Sequence, residues 1–205
     1  MSSEILSVRP TEPDDLPVLM AIYAHAREEI LYLRAMGIRL TLVLHEFSDP
    51  QWFARLGGWS KTGNIGLFLD YEEKILRTVG HLVEDYVPMS QPNLFAWNGW
   101  YSGAWLPGRK SLLAARQVMS VLTLAHIESY RRIHALRREL GLRNTRVGAS
   151  VYMRRIHPGK KKAPLLSAGT DALERLFQSA MGEAMVCGRF SAVIANPGHV
   201  PKGSY

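Results

Sequence analysis

Gly37-Ile38-Arg39-Leu40-Thr41-Leu42-Val43-Leu44-His45-Glu46-Phe47-Ser48-Asp49-Pro50-Gln51-Trp52 passes within a few residues from an almost continuous apolar run into a polar, proline-punctuated loop. The run Ile38 to Leu44 reads as a strand buried on both faces of a parallel sheet. Upstream, Asp14 and Asp15 offer an N-terminal cap and Pro17 suits a first helical turn. Leu19, Ile22, Ala26, Ile30 and Leu33 then recur at helical spacing until Gly37. Downstream, the turn residues Ser48-Asp49-Pro50 and Gly57-Gly58 lead to a helix over 64–79, with Leu67, Phe68, Tyr71, Ile75 and Val79 inward.

The pattern then repeats. Leu82 to Met89 predicts a strand, weakened by Glu84, Asp85 and Pro88, and an aromatic loop follows from Asn93 to Gly108. The longest helix is predicted from Ser111 to Leu140, with Gly141 as its stop. Arg146 to Met153 reads as the next strand, 170–186 as a helix, and Phe190 to Ala195 as a last strand. Strands alternating with helices in this way predict parallel α/β units with right-handed crossovers. The long loops all follow strand C-termini, the edge that carries the ligand site in barrels and open sheets alike.

Composition sets the bounds. At 205 residues, 47% hydrophobic and 21% charged, the chain reads as one globular domain over 1–205. It is shorter than the roughly 250 residues of a typical complete (β/α)8 barrel. Its single cysteine, Cys187, excludes an internal disulfide and reads as a small buried residue. No apolar run has the roughly 18–20 residues of a membrane span, and residues 1–9 lack the pattern of a signal peptide, so a cytoplasmic chain is expected. The seven histidines show no metal-ligand spacing; no metal and no cofactor are expected, and His126 reads as packed and hydrogen-bonded.

Charge is uneven. Residues 1–102 hold 8 Lys/Arg against 13 Asp/Glu, whereas 103–205 hold 17 against 5. Such a split fits a nucleic-acid or acidic-partner surface. No recognition motif accompanies the pairs Arg131-Arg132 and Arg137-Arg138, which read as a solvated helix face.

The wording of the loops resembles glycoside hydrolase family 1, the β-glucosidase family. The stretch Gly37 to Trp52 is similar to the family's third-strand segment, roughly G-I-x-P-x-x-T-L-x-H-[WF]-x-x-P-x-W, and Gly57-Gly58-Trp59 to the G-G-W after it. Phe68 and Tyr71 match an F-x-x-Y helix, and Tyr86-Val87-Pro88-Met89-Ser90-Gln91-Pro92-Asn93 aligns with W-x-T-x-N-E-P-N of the fourth strand. Gly99 to Gly108 resembles the G-Y-x-x-G-x-x-P-P-G loop, and Ala125-His126 an A-H pair on the long helix. The similarity runs from about 14 to 158. It implies parallel βα units forming an incomplete TIM barrel, and retaining hydrolysis by two glutamates whose carboxyl groups stand about 5 Å apart.

This sequence departs from that pattern at three aligned positions. The acid/base glutamate falls on Gln91, the sugar-holding asparagine on Ser90, and the sugar-holding histidine on Glu46, with His45 one place earlier on the opposite face. Phe47 keeps the aromatic beside them. Nothing matches the family's I-T-E-N-G nucleophile strand or its first-strand Q-x-E-G. The sequence therefore predicts a β-glycosidase-family protein that is inactive as this chain. Its expected partners are a β-glucoside or related sugar and either a second copy or the missing barrel half. Two alternatives stand beside that reading: a non-catalytic sugar-binding module using Trp97, Trp100 and Trp105, and a basic nucleic-acid or acidic-partner binder. Glu46, paired with Asp49, Glu84 or Asp85, is the remaining candidate for a carboxylate pair.

Overall fold

The computed structural model of the protein describes residues 16–155, 164–190 and 194. The basic loop His157–Lys162 and all but two residues of the expected last strand lie outside the described residues. Two compact units divide the chain, Met1–Leu40 and Thr41–Tyr205. In the first, α1 spans Leu16–Ala35. It ends as the sequence predicts: Gly37 takes the left-handed conformation (φ +76°), and the Ile38 amide donates to the Leu33 carbonyl at 3.0 Å.

The second unit runs β1 (Thr41–Val43), α2 (Gln51–Arg55), α3 (Ile65–Val79), β2 (Asp85–Val87), α4 (Pro92–Ala96), α5 (Leu112–Glu139), β3 (Arg146–Val147), α6 (Pro164–Glu174) and α7 (Ala180–Cys187). The strands are parallel in the order β1-β2-β3, with Thr41 opposite Asp85 and Asp85 opposite Arg146. Ladder bonds continue past the strand ends, from the Leu44 amide to Val87 (3.0 Å) and from the Ser90 amide to the His45 carbonyl (2.9 Å). Two consecutive parallel strand–helix–strand units result, with α3 and α5 as the crossovers.

Burial follows the position of each strand. β1 stands at the end of the three-stranded order and leaves Val43 42% exposed, so the two-sided burial expected of Ile38–Leu44 is reached only at Leu44. Central β2 is the covered strand: Tyr86 is buried, and its hydroxyl donates to the Val83 carbonyl at 2.8 Å.

The helices pack on this sheet as their sequences dictate. On α3, Phe68, Glu72, Leu76 and Val79 share a buried face, while Asp70, Lys74 and Arg77 face water. Ser111 caps α5, its hydroxyl oxygen accepting from the Ala114 amide at 3.2 Å. Gly141 (φ +70°) ends it, and the Leu142 amide donates to Arg137 at 2.8 Å. Between those ends α5 packs against α3, α4 and α7, so Val118 through Ile127 is buried on every side of the helix.

Four side chains lie opposite to their sequence reading. Leu67 and Tyr71, expected inward on α3, are 37% and 47% exposed, because the buried face runs through Phe68, Glu72, Leu76 and Val79. Arg137 and Cys187 are the other two. Arg137, expected on a solvated face, is buried. Its guanidinium donates to the carbonyls of Gly80 and Val83, to the Tyr86 hydroxyl (2.8 Å), to Thr145 Oγ1 (2.8 Å) and to the Arg143 carbonyl (3.2 Å). The turn before β2 supplies a cluster of acceptors that only a long, forked donor reaches, which is why this arginine alone of its pair turns inward. Its neighbour Arg132 stays outside and pairs with Glu73. Cys187, expected to be buried, is exposed, because α7 buries its Ala180, Met181, Ala184 and Met185 face instead.

Candidate functional site

The strand C-termini converge on one edge, and the loop after β1 is pinned there first. The His45 ring lies edge-on to Trp59 (5.5 Å), Phe68 (6.2 Å) and Phe95 (5.4 Å). Its Nε2 meets Asp49 Oδ1 at 3.0 Å, and the Trp59 indole donates to that same oxygen at 2.9 Å. Asp49 is thereby committed to holding the loop. Beyond it Phe47 adopts a left-handed backbone (φ +53°), which sets its ring 5.1 Å from Trp105.

At the end of β2, Ser90 and Gln91 are half-buried. Gln91 also has a left-handed backbone (φ +42°), and its backbone N–H donates to Ser150 Oγ beyond β3 at 3.4 Å. Pro92 follows and fixes the first turn of α4, so the stretch expected as an aromatic loop is helical as far as Tyr101, its last turn, Trp97–Tyr101, being a π turn. Irregular helical turns of this type occur often at functional edges.

That helix divides the aromatics. Trp100 is buried against Phe95 (5.3 Å). Trp97 packs on Phe177 (3.9 Å) and Tyr101 (4.7 Å), with the Arg154 guanidinium 5.6 Å over its ring. Trp105 keeps about a third of its surface free and shares with Phe47, Asp49, Trp59, Trp100 and Arg109 the lining of a cavity of about 550 Å³. The structure thus brings Phe47, Trp100 and Trp105 to one cavity and takes Trp97 to another contact. Glu46 lines a separate cavity of about 620 Å³ on the α3 side of the loop.

The remaining carboxylates are occupied elsewhere. Asp85 pairs with Arg146 across β2–β3, and Glu84 meets the same arginine at 3.3 Å, both at the start of β2. Among the described residues, Gln91 has no hydrogen bond to Glu46, Asp49, Glu84 or Asp85.

Asn93 carries a role that sequence reasoning missed. It is buried; its side-chain amide donates to the carbonyls of Tyr152 and Phe177, both at 2.7 Å, and its oxygen accepts from the Tyr152 amide at 2.9 Å. All its bonding capacity goes to segments 59 and 84 residues away, so no local pattern announces it. Asn93→Leu is expected to lower the unfolding free energy by about 2–3 kcal/mol, because it strands buried backbone groups. Urea unfolding checks this, and a loss below about 1 kcal/mol would show that water replaces the amide.

Residues 25–197 match glycosyl hydrolase family 1. The chain is 25% identical over 143 residues to the chloroplastic β-glucosidase-like SFR2 of Oryza sativa, covering 65% of this chain and 22% of that protein. It is 25% identical over 132 residues to β-glucosidase A of Acetivibrio thermocellus, covering 64% of this chain and 28% of that one. The solved β-glycosidase from Pyrococcus horikoshii superposes with a TM-score of 0.73 at 22% identity, over 91% of this chain and 40% of that chain. The parallel units therefore form part of a TIM barrel, and the chain spans about a quarter of these curated relatives' length.

Proposed function

The chain belongs to glycosyl hydrolase family 1, and from that premise we propose that it is a β-glucosidase-like protein that does not cleave glycosides by itself. The observation that carries this reading is Gln91. Retaining hydrolysis needs a carboxylic acid that protonates the leaving oxygen and a carboxylate about 5 Å away that attacks the anomeric carbon. The position aligned with the acid holds an amide, which neither gives up nor retakes a proton near neutral pH. General acid–base catalysis, typically about 10²–10⁴-fold, is lost with it. Glu46 does not restore the pair, since it is not among the residues that line the Phe47–Trp105 cavity and Asp49 is committed to His45 and Trp59.

The purified chain is expected to release no nitrophenol from 4-nitrophenyl β-glucoside beyond the buffer rate. Turnover that disappears in Glu46→Gln would overturn this reading.

The Phe47–Trp105 cavity favours a second, compatible reading, in which the protein holds a β-glucoside or related sugar without cleaving it. Flat apolar rings beside polar groups suit a pyranose, and Arg109 and Asp49 supply the polar edge. Trp105→Ala is expected to weaken methyl β-glucoside binding about fivefold, measured by calorimetry. Unchanged affinity would remove this cavity as the sugar site.

A further inference from the structure

The cavity of about 620 Å³ between the loop after β1 and helix α3 is not the one to which the reading above assigns the sugar. Its walls are aromatic, with Trp52, Phe53, Trp59, Phe68 and Tyr71 all contributing. Its formal charges are all negative. Glu46 and Asp49 line it, Asp49 meeting the lining His45, and among the described residues no lysine or arginine does, in a protein whose net charge is +7.

Hydrogen-bonding capacity is one-sided as well. His45 Nε2 and the Trp59 indole, donors that would otherwise serve an anion or a sugar, both meet Asp49 Oδ1. The Ser48 hydroxyl turns to the Glu46 carbonyl at 3.4 Å. Acceptors remain: among the described residues, the second oxygen of Asp49 and both carboxylate oxygens of Glu46 have no hydrogen bond or ion pair. Trp52 and Tyr71 are about half exposed at the cavity, so their rings are open to a ligand.

We propose that this cavity binds an organic cation, an ammonium or guanidinium group carried on an apolar or aromatic body. Aromatic faces attract a cation through their quadrupole, and the attraction strengthens where water is excluded. Glu46 and Asp49 add Coulomb attraction at the same place. Anionic ligands meet the unpaired Glu46 carboxylate and the second oxygen of Asp49 there, and a neutral polyol finds its best donors already spent. The proposal does not rest on sugar binding: the two cavities have Ser48, Asp49 and Trp59 in common, but Glu46, Trp52 and Tyr71 line only this one, and Phe47, Trp105 and Arg109 only the other.

Calorimetric titration of the full chain tests it, with benzyltrimethylammonium as the cation, benzyl alcohol as the neutral control and benzenesulfonate as the anion. The cation is expected to bind at least about tenfold more tightly than either control. Glu46→Gln and Trp52→Ala, both at exposed positions, are each expected to weaken it about fivefold, and saturating methyl β-glucoside is expected to leave its affinity unchanged. Equal affinity for the controls, absence of binding, or indifference to both substitutions would overturn the proposal. Competition by methyl β-glucoside would overturn the separateness of the two cavities while leaving the hydrolysis test untouched.

Discussion

Arg137→Met is expected to lower the unfolding free energy by about 3–5 kcal/mol. The substitution keeps much of the aliphatic volume and removes every donor. The Gly80 and Val83 carbonyls and the Tyr86 hydroxyl then stay buried with fewer partners, and each such group costs about 1–3 kcal/mol. Arg137→Lys is expected to recover little, since one ammonium cannot span acceptors arranged around a planar fork. Arg132→Ala, on the outer face of the same helix, is expected to leave the urea midpoint almost unchanged. A methionine variant within about 1 kcal/mol of the parent would show that the acceptors around residue 137 are satisfied without it.

The second large effect is a dependence on pH. Glu72 lies in the α3–α5 interface with neither carboxyl oxygen hydrogen-bonded. Burial raises its pKa to about 8 from an ordinary 4.5, while Ser129 and Arg132 from α5 pull it part of the way back. The folded state therefore holds this proton more tightly than the unfolded chain. The resulting stabilisation is complete below about pH 4.5, declines as the pH rises, and is gone above about 8.

His126 on α5 acts in the opposite sense. Burial lowers its pKa from 6.5 to about 4, so its contribution is complete above pH 6.5 and is lost as the pH falls towards 4. The two slopes cancel between about pH 4.5 and 6.5, giving a plateau with a decline on either side. Glu72→Gln is expected to abolish the alkaline decline, so that its advantage over the parent grows to several kcal/mol, to order of magnitude, by about pH 8. Denaturation midpoints from pH 4 to 9 check this, and parallel curves for the two proteins would contradict it.

Much of the second unit was legible because its determinants are local. The spacing of Phe68, Tyr71, Ile75 and Val79 marks α3, Ser111 and Gly141 bracket α5, and Leu82–Met89 contains β2. The loop motifs carried the family, which the match over residues 25–197 bears out. What stayed hidden is non-local. Arg137 turns inward to carbonyls 54 and 57 residues earlier in the chain, and Asn93 is claimed by backbone 59 and 84 residues later. Trp100 and Trp105 are five residues apart and alike in composition, yet the turn Trp97–Tyr101 sinks the first and leaves the second at a cavity mouth. Residue type cannot separate them, because the helical register that does so is set by Pro92 and by packing on Phe95. Glu46 and Phe47 show the same limit: adjacent in the chain, they serve different cavities once the backbone at Phe47 turns left-handed.

The outward sulfur at the end of α7 governs how this protein behaves once purified. With one thiol per molecule, oxidation in air can join it only to another molecule. Covalent pairs will therefore accumulate in aerated buffer whatever the native stoichiometry. Sedimentation or light scattering reports a genuine association only with reductant present or serine at position 187, and the same atom offers a unique anchor for a maleimide dye.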